Sequence, residues 1–119
     1  MTPQQIEAAC LALPGAGKEF PFGEETAVFK VAGKVFAICR LEHEPPRVSL
    51  RCEPELAVQL RVKHAAIAPG WHLNKRHWNT VTVDGSLSRG MIVEMIEDSY
   101  DLVVERLPRA KRQTLRWQV

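Results

Sequence analysis

The side chains best suited to binding chemistry in this 119-residue sequence lie between residues 71 and 78. Lys75 and Arg76 are cations that can neutralise phosphates, and flat rings and amide or imidazole donors surround them in the sequence. This mixture is typical of a polyanion site. An alternative interpretation places Trp78 and Leu73 in the core and leaves Lys75 and Arg76 in a solvated turn. The candidate contacts from this block are Asn74, Lys75, Arg76, His77 and Trp71.

Charge is segregated along the chain, although the formal net charge is only +2. Residues 56–83 contain no acidic side chain, so Arg61 and Lys63 join the candidate phosphate contacts. Residues 84–104 are acidic and residues 105–119 are basic again, so polyanion binding must be local. The basic C-terminal segment either adds phosphate contacts or is a frayed, solvated terminus. Its relevant side chains are Arg106, Arg109, Lys111, Arg112, Arg116 and Trp117.

Other site chemistries find little support in the sequence. The four histidines, His43, His64, His72 and His77, lack the spacing of metal ligands, so we expect no metal and no cofactor. The sequence has no glycine-rich phosphate loop, no G-x-S-x-G elbow and no H-E-x-x-H motif. We therefore expect a binding module and not an enzyme.

The cysteines and the hydropathy bear on the compartment. Cys10, Cys39 and Cys52 form no C-x-x-C pair, and we expect Cys10 and Cys39 to be small buried side chains. No apolar run approaches the roughly 20 residues that span a bilayer, and the N-terminus has no signal-peptide pattern. We expect a cytoplasmic protein that makes no membrane contact.

Hydrophobic periodicity predicts the elements that position these side chains. Helical signals occur at residues 2–13, 54–63 and 88–107, and strand-like runs at 26–31, 35–41, 47–51, 71–73 and 77–83. The order α-βββ-α-ββ-α predicts an α+β fold of two layers, in which helices cover one face of a mainly antiparallel sheet. We expect a loop at residues 18–24. Residues 1–107 are expected to form a single domain, followed by a loosely attached basic tail, 108–119.

In two of these elements, the residue pattern distinguishes a solvent-exposed face from a buried one. In the predicted strand 47–51, apolar residues alternate with Arg47, Ser49 and Arg51, so one face of the strand is expected to be exposed to solvent. In the last helix, Ser99 lies on the inward face, where we expect it to permit close packing and not to act as a nucleophile. Acidic side chains recur on the opposite face and would repel phosphate. They are Glu94, Glu97, Asp98, Asp101 and Glu105.

Three segments of the chain resemble the MmcQ/YjbR family. They are residues 13–37 with the loop Phe20-Pro21-Phe22-Gly23, residues 69–81 with the Asn-Lys-x-His-Trp block, and the pair Ser99-Tyr100. The resemblance implies a CyaY-like, two-layer α+β fold of the kind also seen in secretion chaperones. It also implies the DNA-binding description that this family usually carries, which is associated with a double-wing arrangement.

Two hypotheses for function follow from the resemblance and the charge pattern. The first is a nucleic-acid-binding module, with DNA as the expected partner, that contacts phosphates through its acid-free segment. The second is a protein-interaction or chaperone-like adaptor without a nucleic-acid role. An exposed apolar patch that includes Trp71, Phe20 or Phe22 would favour the adaptor.

A third hypothesis is a binder of small anionic molecules. It requires a deep pocket ringed by His72, Asn74 and Lys75. For all three hypotheses we expect a monomer or a weak dimer.

Overall fold

A computed structural model describes residues 1–116 of the chain. Its strands are β1 (Ala16–Glu19), β2 (Ala27–Val31), β3 (Lys34–Arg40), β4 (Arg47–Arg51), β5 (Ile67–Pro69) and β6 (Trp78–Thr82). Its helices are α1 (Pro3–Leu11), α2 (Pro54–Lys63), α3 (Arg89–Glu105) and α4 (Arg109–Arg116). The strands form one antiparallel sheet in the order β1-β2-β3-β4-β6-β5. The predicted α+β class is confirmed.

The core lies between the helices and one face of this sheet. α1 contributes Ile6 and Cys10, and α3 contributes Ile92, Ile96 and Val103. These side chains pack against alternate residues of the central strands, which the pleat directs to the same side. The sheet residues are Ala27, Phe29, Val31, Ala37, Cys39, Val48, Leu50 and Val81.

Two strands differ from the sequence prediction. β1 lies at residues 16–19, partly where a loop was expected, and pairs with β2 at the edge of the sheet. Its residues are mostly exposed, so the segment lacks the apolar alternation that would reveal a strand. β5 lies at 67–69 and not at the predicted 71–73, because the chain turns after Gly70. A Cβ atom on Gly70 would lie 2.6 Å from the Cβ of Trp78, so only glycine permits this approach.

The expectation of a loosely attached tail is wrong for the part that the structure describes. Residues 109–116 form α4, and the buried side chain of Leu115 joins the core. A single apolar contact of this kind gives little periodic signal in a basic segment. Residues 117–119, including the candidate Trp117, lie outside the described residues. No helix within residues 1–116 has the length and apolar character needed to cross a membrane.

The buried hydroxyl of Ser99 joins α3 to the sheet. Ser99 is 0% exposed. Its Oγ donates to the carbonyl oxygen of Phe36 at 2.6 Å and accepts from the backbone nitrogen of Arg51 at 2.9 Å. These two backbone groups lie just beyond the last pair of the β3–β4 ladder, Ala37 with Leu50. The serine therefore takes the place of a missing ladder bond as well as permitting close packing.

We expect Ser99→Ala to lower the free energy of unfolding by about 2 kcal/mol, because two backbone groups lose their partner. Urea unfolding measures this loss, and hydrogen exchange at the Arg51 amide should become faster. Ser86→Ala is the control: Ser86 is exposed and bonds only to Asp84 nearby. Its effect should stay within about 0.5 kcal/mol. Equal effects of the two substitutions would contradict the bridging role of Ser99.

Candidate functional site

β4 and β6 direct polar side chains away from the core. Because the apolar residues of β4 enter the core, Arg47, Ser49 and Arg51 lie on the opposite face. The register places Ser49 beside Thr80 and Arg51 beside Trp78 on that face. We call this side of the sheet the open face.

A basic cleft of about 460 Å³ lies where β3 begins and α3 ends. Its charged lining side chains are Lys34, Arg51, Arg106 and Lys111, and no acidic residue of the described chain lines it. The four cations come from β3, β4, the C-terminal end of α3, and α4. Only the folded chain brings them together.

His77 lies outside the cleft lining but close enough for the charges of Arg51 and Arg106 to act on it, and Arg76 precedes it in the chain. Desolvation and the positive charges of Arg51, Arg76 and Arg106 lower the pKa of His77. Burial, followed by the charge of Arg106, lowers the pKa of Arg51. Positive charge is therefore concentrated at this end of the sheet. We call the following six residues the basic cluster: Lys34, Arg51, Arg76, His77, Arg106 and Lys111.

The basic cluster forms no ion pairs within the described residues. None of its members has an ion-pair partner within residues 1–116, and the Arg51 guanidinium instead packs 5.6 Å from the ring centroid of Trp78. Unpaired cations at one place create a field that attracts anions. The ion pairs in the described range lie elsewhere, between Lys18 and Glu7, Lys30 and Glu19, and Arg40 and Glu25.

The predicted block 71–78 is divided by the structure. Arg76 and His77 join the basic cluster. Asn74 shapes the turn, since its Oδ1 accepts from the backbone nitrogen of Arg76 at 3.0 Å and its carbonyl accepts from those of His77 and Trp78. Lys75 is exposed in this turn. Trp78 is buried, but on the open face and outside the core cluster in which the alternative interpretation placed it.

The guanidinium of Arg61 forms bonds within the fold. Its Nε donates to Oδ1 of Asn79 at 2.6 Å, and its Nη2 donates to the carbonyls of Trp78 and Lys75. These bonds hold α2 to the segment that carries Arg76 and His77. Lys63, in the last turn of α2, is exposed.

A second cavity, of about 350 Å³, lies on the open face. Trp71 is on its wall, apart from the basic cleft. Of the pocket proposed for a small anion, only His72 lines this cavity, because Asn74 and Lys75 lie outside its lining. We call the cavity the aromatic groove, and its lining residues are Phe22, Thr26, Ile38, Arg40, Arg47, Ser49, Trp71, His72, Leu73 and Thr80.

Lys34 and Arg51 of the basic cluster were missed from the sequence as site residues, whereas Arg76 and His77 were predicted in the block and Arg106 and Lys111 in the basic C-terminal segment. The signal for Arg51 was present in the alternation of apolar and polar residues in β4, which places this side chain on a solvent-exposed face. That signal does not say that Lys34, Arg106 and Lys111 meet Arg51, because the contact depends on where α3 ends and α4 begins. No group of three His, Cys, Asp or Glu side chains within the described residues is placed to hold a metal ion.

Comparisons with known proteins identify relatives along nearly the whole chain. The family model for YjbR matches residues 11–102. The protein YjbR of Escherichia coli K12 is 38% identical over 115 residues, which cover 97% of this chain and 98% of that protein. The protein YbdF of Escherichia coli O157:H7 is 32% identical over 106 residues, covering 89% of this chain and 87% of that protein.

Two solved structures have the same fold. The crystal structure of protein DR2400 from Deinococcus radiodurans superposes with a TM-score of 0.91 at 38% identity, covering 97% of this chain and 88% of that one. The crystal structure of a Pseudomonas syringae protein has a TM-score of 0.73 at 31% identity, with coverages of 86% and 98%. The arrangement of sheet and helices is therefore shared with experimentally determined structures.

We expect Arg61→Ala to lower the free energy of unfolding by about 1–3 kcal/mol, because Asn79 and two backbone carbonyls lose their donor. Urea unfolding measures the change. Lys63→Ala, two residues later in the same helix, is the matched control and should change stability by less than about 0.5 kcal/mol. A neutral Arg61→Ala would contradict the internal role of the guanidinium.

We expect an NMR titration of His77 to give a pKa below its ordinary value of 6.5, for the reasons given above. The unfolded chain then binds the proton more readily, so protonation of this residue lowers stability as the pH falls below about 6.5. Arg106→Gln should raise the pKa of His77 by removing a like charge. Arg89→Gln, at the other end of α3, should leave it unchanged, and equal responses to the two variants would argue against a local cluster.

Proposed function

The chain belongs to the YjbR family, and we propose that it is a nucleic-acid-binding module that works through its basic cluster. The supporting observation is that four cations from separate segments line a cleft without an acidic residue of the described chain in its lining, and that His77, which follows Arg76, lies near two of them. Like charges held together repel one another, and a bound polyanion would relieve this repulsion. DNA is the partner that we expect, as the family resemblance implies.

The proposed contacts are to phosphates. Lysine and arginine bound to the backbone of a nucleic acid fix its position but carry no sequence information directly. Affinity would therefore be weak and would fall steeply with salt. Arg106 and Lys111 would supply exposed contacts, whereas Arg51, which packs on Trp78, would supply a more rigid one.

The acidic side of α3 restricts how the nucleic acid can approach. Partial burial, and then the charges of Glu94, Asp101 and Glu97, raise the pKa of Asp98. This crowding of carboxylates would repel phosphate. The nucleic acid would therefore approach from the open face and the basic end of the sheet, and would avoid the outward side of α3.

In this proposal the module binds without catalysing a reaction, and it acts in the cytoplasm. Thiols stay reduced there, and the three cysteines are free: Cys10 and Cys39 are buried and Cys52 is half-buried. The hydrogen bond with Cys10, together with burial, raises the pKa of the Cys39 thiol. Such a thiol is inert and supports a packing role.

A protein-interaction adaptor is the second candidate, because three aromatic side chains are exposed. The exposed fractions are 75% for Phe22, 51% for Trp71 and 47% for Phe20. Exposed apolar surface of this kind is typical of a protein contact. An adaptor would retain its partner after Arg106→Gln and lose it after Phe22→Ser, which is the opposite of the pattern expected for phosphate binding.

We expect Arg106→Gln to weaken binding to a mixed-sequence DNA duplex and to reduce the slope of log affinity against log salt by about 0.9, since one phosphate contact is lost. Fluorescence anisotropy at low and moderate salt measures both quantities. Arg89→Gln removes the same charge from the opposite end of α3 and should keep the slope of the wild type. Equal slopes in the two variants, or no binding by the wild type at low salt, would contradict the proposal.

A further inference from the structure

The aromatic groove combines flat rings, cations and hydroxyls on the open face. Phe22 and Thr26 approach it from the loop before β2, and Trp71, His72 and Leu73 from the turn after β5. Its volume of about 350 Å³ lies in the range of small-ligand sites, roughly 300–1,000 Å³. The groove is therefore large enough for one flat heteroaromatic ring and its substituent.

Two rings of the groove are in contact with their planes tilted by 47°, and Trp71 remains accessible. The centroids of Trp71 and His72 are 4.4 Å apart, and the guanidinium carbon of Arg40 lies 5.6 Å from the Trp71 centroid. His72 has a φ of 57°, a conformation that costs a residue with a Cβ about 1 kcal/mol or more. The strained backbone of His72 therefore lies at the contact between the two rings, where the side chain of Trp71 is half-exposed.

The floor of the groove has a hydrogen-bond donor to spare. The hydroxyl oxygens of Ser49 and Thr80 are 2.8 Å apart, and Oγ1 of Thr80 also accepts from the backbone nitrogen of Trp71 at 3.0 Å. Two hydroxyls carry two protons, and the bond between them uses one. The remaining proton can be donated to a ligand oxygen or nitrogen, such as a base carbonyl.

The cations of the groove connect it to the basic cluster. Arg40 is 3.6 Å from the carboxylate of Glu25, whereas Arg47 has no ion pair within residues 1–116. Arg47 and Arg51 lie on the same face of β4, and four residue steps along the strand separate them by about 13 Å. A negatively charged chain could therefore pass along β4 from the groove to the basic cleft.

We infer that the aromatic groove holds one unpaired nucleobase of a single-stranded nucleic acid whose backbone follows β4 from Arg47 to Arg51. The inference rests on the proposed function and refines it. The base stacks on Trp71 and accepts a hydrogen bond from the hydroxyl pair of Ser49 and Thr80, while the phosphates of the strand bind the cations. Stacking on an aromatic ring tolerates every base, so the module prefers single strands without reading their sequence. A paired base cannot enter the groove, because its faces are covered by its neighbours in the duplex.

The test compares a short oligothymidylate with an abasic oligomer of the same length, both measured by fluorescence anisotropy at low salt. We expect the wild type to bind oligothymidylate about tenfold more tightly, a ratio that corresponds to one stacked base. Trp71→Ala should remove this advantage and leave the affinity for the abasic oligomer unchanged. Phe20→Ala is the matched control, since Phe20 is exposed to a similar degree but does not line the groove.

The possible outcomes separate the inference from the proposed function. Equal binding of the two oligomers by the wild type, with both weakened by Arg106→Gln, would overturn the base site and leave phosphate binding intact. Failure of both oligomers to bind would overturn both. Thymidine monophosphate that competes at the dissociation constant of the oligomer would identify a mononucleotide site and would overturn the single-strand assignment.

Discussion

The position of α3 on the sheet depends on one buried hydroxyl. Ser99 accepts from the Arg51 amide and donates to the Phe36 carbonyl, so its side chain joins β3, β4 and α3 at a single point. Tyr100 reinforces this attachment: its hydroxyl donates to the carbonyl of Pro14 at 2.6 Å, and its ring meets that of Phe36 edge-on at 5.5 Å. Because the register of α3 is fixed here, Arg106, two turns later, reaches the same cleft as Arg51.

The fold then separates its charges by geometry. Helices cover one face of the sheet, so the outward side of α3 faces solvent and carries the hydrated carboxylates. The opposite face of β4 and the C-terminal end of α3 collect the cations, together with the basic turn before β6. The negative end of the dipole of α3 also favours cations such as Arg106 near this terminus. A chain with little net charge thereby gains a locally positive surface.

Much of the fold could be predicted from residue patterns. Thr2 and Gln5 form a capping box and Ser88 caps α3, and such signals can be recognised in the sequence because they act within one helical turn. β1 could not be recognised, because an exposed edge strand buries no periodic face. The site was harder to predict: the block 71–78 contributes only Arg76 and His77 to the basic cluster, while Arg61 is held within the fold. Which cations meet is determined by tertiary contacts between segments far apart in sequence, and no local pattern records them.

The most direct measurement is an NMR titration of isotope-labelled protein with a short single-stranded oligonucleotide at low salt. Binding through the basic cluster and the aromatic groove predicts shifts at the amides of Arg47, Arg51, Arg106 and Lys111 and at the indole N–H of Trp71. It predicts unchanged signals along the acidic side of α3. Shifts confined to that acidic side, or no shifts at all, would contradict nucleic-acid binding at this surface.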